Sequence, residues 1–237
     1  MAKKTRTPPP PRRVQAPQRR QTAPTRTTDE RRRYLLLLAF GATGVIGLIV
    51  ALILVFVVGK NDSSATVGPT ITTGNLAGIQ TGPAPWPVEY NHMPDRLGPL
   101  GLDQLPAEAL NFHIHAHLDI FINGKKTPVP ANAGIYDGEW ITELHTHDTR
   151  GVIHVEAPAV KDYTLGQFIG IWGVRFTPKC IGGYCATGGK PFRTYVNGKL
   201  YDGDPTRLIL RAHQEIALVY GKPPKTIPKS YKFYPNE

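Results

Sequence analysis

Apolar and polar side chains alternate along residues 112–122, whose sequence is FHIHAHLDIFI. Apolar residues occupy the even positions, whereas three histidines and an aspartate occupy the odd positions before Phe121. A period of two predicts a strand with one buried face. The Asn123-Gly124 pair that follows is a strong hairpin signal. It predicts a return strand from residue 125, at a sheet edge because prolines interrupt it.

The rest of the C-terminal half predicts further strands and one helix. Thr164 is a suitable N-cap and Gly173 a suitable stop for a short helix over 164–173. A second Asn-Gly pair predicts another hairpin within 192–201. The fold class is therefore predicted as α+β, a mainly antiparallel β domain with one short helix. Other predicted elements are strands at 140–147, 151–156, 207–210 and 214–220 and a short helix at 103–110.

Residues 34–58 form an apolar run without a charged side chain. As a helix the run would be about 37 Å long, enough to cross a hydrocarbon core of about 30 Å. It is too long and too far from the N-terminus for a cleaved signal peptide, so we predict an uncleaved signal-anchor. Arginines at 31–33 precede it and only Lys60 follows closely, which predicts a single-pass protein of the cell membrane with a cytoplasmic N-terminus.

Composition divides the chain into four predicted regions. Residues 1–33 are a basic, proline-rich cytoplasmic tail that is predicted to be disordered because it lacks large apolar residues. Residues 34–58 are the single transmembrane helix. Residues 59–90, rich in Gly, Ser, Thr and Pro, are an extracytoplasmic linker. Residues 91–237 are a His-rich, β-dominated ectodomain.

The positive charge belongs to the tail and not to the domain. Residues 1–33 hold 11 of the 28 Lys and Arg residues and 2 of the 18 Asp and Glu residues. Because this charge does not lie on a folded face, no nucleic-acid partner is expected. The predicted partners are the lipid bilayer and, through the tail, anionic inner-leaflet lipid or a cytoplasmic protein. Alternatively, the tail serves only as a topology signal.

The chain has two cysteines, Cys180 and Cys185, in the sequence CIGGYC. Both fall on the side of the membrane that is predicted to be oxidising, where a disulfide closing a small loop is expected. A metal-binding thiol pair is the alternative. The spacing is not the CxxC of redox proteins, which argues against thiol exchange.

Histidine is concentrated in the predicted β domain, where five residues occur as HIHAH and HTH. Residues two apart on a strand share a face, so each run lines one side of its strand. Burying these histidines without partners would be costly, whereas a bound cation would satisfy their lone pairs. The candidate metal ligands are His113, His115, His117, His145 and His147, with His154 as a weaker candidate.

Strand geometry limits how many of these histidines can bind one ion. His113 and His117 would lie about 13 Å apart along a straight strand. We therefore expect two of the three histidines on that strand to bind together with His145, His147 or both. Imidazole suits zinc, copper, iron and nickel. The predicted exterior location favours copper or zinc, and the sequence does not choose between them.

Acidic residues near the histidine runs are further candidates. Asp148 and Asp119 are each predicted to be a ligand or an acceptor that orients an imidazole, and Glu143 and Glu156 are alternatives. A solvated or pH-responsive histidine face without metal is the competing interpretation. The remaining two histidines, His92 and His213, are interpreted as structural or surface residues.

The runs HIHAHLDIFINGKKTPVPANAGI, ELHTHDTRGVIHVEAP and YTLGQFIGIWGV resemble a family of membrane-anchored microbial His-rich ectodomains with no established activity. The likeness covers 81–221 and implies a shared fold and a histidine cluster, without a mechanism. HTH followed by GVIHVE also resembles the metal strands of cupins, but the usual Glu after HxH and the second Pro-Gly-His box are missing. Multicopper oxidases also use HxH pairs, but they need four such motifs and a Cys ligand. No catalytic residues are carried over from either family.

Three functions are compatible with these patterns. The first is a membrane-anchored extracytoplasmic domain that binds or hands on copper or zinc. The second is a metal-dependent enzyme on the outer face, with Asp148, Glu143 or Glu156 as its base. The third is a metal-free module that binds a protein partner or senses pH through its histidines. The sequence leaves open whether the protein is an enzyme.

Overall fold

The structure is a computed structural model, and it describes residues 71, 73–136 and 138–237. The predicted tail at 1–33, the predicted transmembrane helix at 34–58 and the start of the predicted linker lie outside the described residues. Within the described part of the chain, no helix is long and apolar enough to cross a membrane. We therefore correct two predictions, the fold class with a preceding transmembrane helix and the localisation in the cell membrane that depends on it.

The described residues form a mostly β domain with two short α-helices. The helices are α1 (Met93–Leu100) and α2 (Leu165–Trp172), and 3-10 helices occur at Thr73–Asn75 and Pro205–Arg207. The strands are β1 (Phe112–Ile122), β2 (Lys125–Thr127), β3 (Ile135–Tyr136), β4 (Trp140–Ile141), β5 (Leu144–His145), β6 (Val152–Ala157), β7 (Phe176–Thr177), β8 (Cys180–Ile181), β9 (Tyr184–Cys185), β10 (Phe192–Val196), β11 (Lys199–Tyr201) and β12 (Glu215–Tyr220).

The main sheet has the strand order β11-β10-β12-β1-β6-β5, and β2 also pairs with β1. The long strand β1 pairs with β6 through its first half and with β12 and β2 through its second half. The β1–β12 pair is parallel, with a register from His117↔Glu215 to Ile122↔Tyr220. The other pairs of the main sheet are antiparallel, as the mainly antiparallel prediction expects, and the parallel pair places the first long strand beside the last strand.

Both predicted Asn-Gly hairpins are confirmed. Asn123 and Gly124 have φ values of 50° and 83°, and Asn197 and Gly198 have φ values of 50° and 77°. Positive φ at both central residues is the geometry of a type I′ turn, which Asn-Gly adopts at little cost. The first return strand, β2, ends at Thr127 because Pro128 cannot donate the next ladder hydrogen bond.

The even positions of β1 lie in the hydrophobic core, as the alternation predicts. Ala116, Leu118 and Ile120 are fully buried and belong to the same cluster as the residues of α2. The helix begins at a capping box formed by Thr164 and Gln167 and ends at Gly173, which has a φ of 91°. Because every residue of α2 is buried, this side of the sheet is closed to solvent. The polar residues at the odd positions of β1 therefore lie on the other face of the sheet.

A buried arginine joins α1 to the described part of the predicted linker. The Arg96 side chain is fully buried, and its Nη1 donates to Ala77 O at 3.1 Å. Its Nη2 donates to Ile171 O, in α2, at 3.0 Å. The carboxylate and the backbone carbonyl of Glu89 accept further hydrogen bonds from the same guanidinium. Trp86, also in the predicted linker, is buried in the core.

Several local predictions are corrected. Residues 103–110 are not helical, whereas 93–100, which was not predicted as a helix, forms α1. The strand predicted at 140–147 is divided, because β4 pairs with β3 and β5 pairs with β6. Residues 207–210 contribute only an isolated bridge, between Ile209 and Thr164, and not a strand.

The predicted disulfide is confirmed, since Cys180 and Cys185 are joined by an S–S bond. They face each other across the β8–β9 pair. This pair belongs to a separate three-stranded sheet that also contains β7. The two thiols are therefore not available as metal ligands in this state.

Candidate metal centre

Three histidines form a row across three strands of the main sheet. His115 on β1 lies opposite His154 on β6, and His154 lies opposite His145 on β5. Residues opposite each other in a ladder point to the same face of the sheet. In the next row, His113 lies opposite Glu156. The register of β6 between β1 and β5 thus gathers the two histidine runs on the face that is not covered by α2.

The first group of donor atoms, which we call group 1, consists of His113, His115, His154 and Glu156. His113 Nε2 lies 3.1 Å from His115 Nε2, which lies 3.0 Å from His154 Nδ1. Glu156 Oε1 lies 3.0 Å from His154 Nδ1 and 3.2 Å from His113 Nε2. These four atoms surround one small space and could hold a metal ion.

Hydrogen bonds cannot account for all the close contacts between the donor atoms of group 1. Each ring nitrogen of a neutral imidazole has either one N–H or one lone pair. His115 Nε2 therefore makes one directed hydrogen bond, although two other ring nitrogens lie within 3.1 Å of it. Glu156 Oε1 can accept from both His113 and His154, but a ring hydrogen that is donated to this oxygen is not available to His115. A cation at the centre would use all four lone pairs at once.

A second group, group 2, consists of His145, His147, His154 and Glu156, with donor atoms within 4.8 Å of one another. His145 Nδ1 donates to Thr142 O at 2.9 Å, because a carbonyl oxygen can only accept. This bond leaves the lone pair on Nε2, which is buried and has no hydrogen-bond partner among the described residues. Metal-binding histidines commonly donate their other N–H to a backbone carbonyl in this way.

His117 lies on the same strand but outside both groups. Its Nε2 lies 2.9 Å from Arg150 O, and its Nδ1 lies 2.7 Å from Glu215 Oε2. Since the carbonyl can only accept, Nε2 carries a hydrogen, and the Nδ1–Glu215 contact requires one more proton on either partner. Burial raises the pKa of Glu215, against the effect of His117. Tyr231 from the C-terminal segment stacks on the His117 ring at 3.8 Å.

A third set, His117, Asp119 and Glu215, also has the spacing of a cation site. However, both ring nitrogens of His117 are engaged, and Lys126 Nζ lies 2.5 Å from Asp119 Oδ1. The lysine already supplies a positive charge to this set. We therefore assign the histidine clusters around Glu156, and not this set, as the candidate metal centre.

Burial favours the neutral form of two of the clustered imidazoles, His115 and His145. Burial, together with the nearby His154 and His113, lowers the pKa of His115 to about 4. Burial also lowers the pKa of His145 to about 3, against the opposing effect of Glu156. Burial alone would raise the pKa of Glu156, but the hydrogen bond from His154 and the neighbouring histidines lower it. Near neutral pH, His115 and His145 are thus neutral imidazoles and Glu156 is a carboxylate, which are the forms that bind metals.

These pKa values predict that the metal-free chain loses stability as the pH falls from 6.5 to 5. In this range the unfolded histidines bind protons, whereas folded His115 and His145 do not. Folding should weaken by about 2 kcal/mol for each of the two histidines over these 1.5 pH units. Urea unfolding with a chelator at several pH values measures the effect. A His115→Gln variant should show a shallower dependence, and a free energy of unfolding that is flat over this range contradicts the prediction.

The structure brings together His113, His115, His145, His147 and His154, and leaves out His117. Asp148 also lies outside the groups, since its carboxylate accepts from the backbone N and Nε of Arg150. His154, predicted as the weakest ligand, is a member of both groups. Glu156, predicted as an alternative acidic candidate, is also a member of both groups, and its spacing of two from His154 places both side chains on one face of β6.

No protein-family model, curated protein or solved structure matches the chain. The resemblance to His-rich microbial ectodomains is therefore not tested by these comparisons. The function is therefore inferred from the geometry of groups 1 and 2.

Proposed function

We propose that the protein binds a divalent transition-metal ion, copper or zinc, through His113, His115, His154 and Glu156. The observation that carries this proposal is the set of four distances of 3.0–3.2 Å between the donor atoms of group 1. A tetrahedral ion with metal–ligand bonds of about 2.0–2.1 Å needs donors about 3.3 Å apart. Four of the six distances between the donors are thus within a few tenths of an ångström of this value, and all six are within 4.8 Å.

The chemistry of the donors supports copper or zinc over calcium or magnesium. Three imidazole nitrogens and one carboxylate oxygen suit zinc and copper, whereas calcium and magnesium take oxygen ligands. Rigidity also supports binding, because His115 and Glu156 are buried and all four donors lie on β1 or β6 directly opposite another donor. A site on paired strands holds its ligands in place before the ion arrives.

The surroundings favour holding an ion over catalysis at group 1. Of the carboxylates predicted as a base, Asp148 is bound by Arg150. Glu143 accepts from the backbone N of Asp103 at 3.0 Å and faces the Tyr163 hydroxyl. Glu156 is itself a member of both groups. Four protein donors would also leave a tetrahedral ion no open position, which is the arrangement of a structural or carrier site.

A His154→Ala variant tests the proposal. The full-length wild-type chain, purified with added zinc or copper and then freed of excess metal, should contain at least one ion per chain. The variant should lose the ion bound by group 1, and its metal content should fall accordingly, because His154 lies between the other donors of that group. Elemental analysis measures the content, and near-UV circular dichroism checks that the variant is folded.

His92→Ala is the matched control, because His92 is exposed and pairs with Glu89 away from the sheet. It should retain the wild-type metal content. A wild-type chain that stays metal-free after reconstitution with both metals would overturn the proposal, as would a folded His154→Ala variant with unchanged content.

A further inference from the structure

We propose that the centre is binuclear: a second ion binds His145 and His147, and the Glu156 carboxylate bridges it to the ion in group 1. This inference rests on the proposed function and extends it. It assigns a role to His145 and His147, the two histidines of group 2 that do not belong to group 1.

The donor count requires a second ion if all the clustered histidines bind metal. Groups 1 and 2 together contain five histidines and Glu156. A zinc site takes four protein ligands, and copper sites with imidazole ligands also have few. One ion in group 1 therefore leaves His145 and His147 without a role. Their side chains nevertheless lie beside His154, with ring centroids 5.2 Å and 4.4 Å away.

Two buried atoms point to this second ion independently of the count. His145 Nε2 and Glu156 Oε2 are both buried and have no hydrogen-bond partner in the described part of the chain. The side chains of His145 and Glu156 are 0% and 2% exposed. Leaving a buried polar atom unpaired costs about 1–3 kcal/mol. A cation bound by both residues would give each of these atoms a partner.

The position of Glu156 suits a bridge. Its Oε1 faces group 1, at 3.0 Å from His154 Nδ1, and lies 3.7 Å from His145 Nε2. Its Oε2 is the oxygen without a partner, so the two oxygens can serve different ions. A carboxylate that joins two ions is a common element of two-metal sites, where the ions lie about 3.5–4 Å apart.

The second ion should exchange more readily than the first. Group 2 supplies His145, His147 and one oxygen of Glu156, which leaves a position open for solvent or another ligand. The His147 side chain is 40% exposed, and it borders an open groove of about 520 Å³ that Trp140 and Leu110 also line. His147 Nε2 pairs with the exposed Glu108 at 3.2 Å, a contact that an incoming ion would replace.

Copper titration of the full-length chain tests the bridge. Wild type should bind two Cu(II) per chain, whereas His113→Ala/His115→Ala and His145→Ala/His147→Ala should each bind one. Two Cu(II) ions joined by one carboxylate couple magnetically. The integrated electron paramagnetic resonance intensity of the wild type should therefore fall below its copper content, while each double variant should give full intensity.

The outcomes separate this inference from the proposed function. A wild-type chain that binds one Cu(II) overturns the binuclear centre and leaves the first site intact. Two Cu(II) ions with full, uncoupled intensity overturn the bridge. A chain that binds no ion overturns both proposals. Glu156→Gln adds a check, because the coupling should disappear in that variant even where copper remains bound.

Discussion

The metal-loaded chain is expected to unfold about 8–16 °C above the metal-free chain. A ligand that binds only the folded state stabilises it by about 4 kcal/mol when its free concentration is 1,000 times the dissociation constant. For a domain of about 150–250 residues, each kcal/mol raises the melting temperature by about 2–4 °C. The donors of group 1 lie on β1 and β6, so the bound ion joins two strands that separate on unfolding.

Differential scanning calorimetry with excess zinc and with a chelator measures this shift. The matched control is His113→Ala/His115→Ala, which removes two donors from β1 and leaves β6 intact. Its melting temperature should rise less than that of the wild type, because only the ion proposed for His145 and His147 can still bind. An equal shift in wild type and control would show that the ion acts elsewhere, and no shift in the wild type at saturation would contradict binding to the folded state.

Arg96→Ala is expected to destabilise the domain by about 3–5 kcal/mol, the cost of breaking a buried ion pair. The variant removes the donors to Ala77 O, Ile171 O and both acceptors of Glu89. These acceptors belong to the segment before α1 and to α2, so the loss should loosen the packing of the described linker on the core. The free energy of urea unfolding measures the effect.

Arg211→Ala is the control for the arginine variant. Arg211 pairs with Asp162 at 2.9 Å, but both side chains are about half exposed. Solvent screens such a pair, and its loss should cost less than about 1 kcal/mol. If the two variants lost similar stability, the buried arginine would not be the structural link that its contacts indicate. Metal content should be unchanged in both variants, because neither arginine contacts group 1.

Local sequence signals predicted the elements that short-range physics determines. The alternation along 112–122 identified β1 and the face that is buried, because side chains on a strand point alternately to the two sides. Asn197-Gly198 predicted its turn because both residues tolerate positive φ. Thr164 and Gly173 predicted the ends of α2 through their capping chemistry.

Long-range pairing could not be predicted from these signals. The alternation of β1 does not show which strand lies beside it, and the parallel partner β12 is contributed by residues 215–220. The sequence suggested that the strands of the two histidine runs are neighbours in the sheet, but β6 lies between β1 and β5. This strand order makes His154 central, a role that its isolated position in VIHVEA does not reveal.

The position of α1 could not be predicted from local sequence signals either. Residues 103–110 contain good helix formers but are not helical, whereas 93–100 is helical despite Gly98 and Pro99. Propensity is a weak prior that packing overrides. Here α1 is held by contacts of its own buried residues, such as Met93 and Leu100, with the core. The burial of Arg96 in the same helix was likewise not visible in the sequence.

The strand order also implies a sequence of events while the chain is being translated. Every donor of the two groups lies between residues 113 and 156, and the β1–β6 contact of His115 with His154 closes a loop of 39 residues. The contact of His117 with Glu215 closes one of 98 residues. That longer closure costs about 0.8 kcal/mol more in entropy. All the donor residues of the two groups are thus translated before β12, the strand that pairs with the second half of β1.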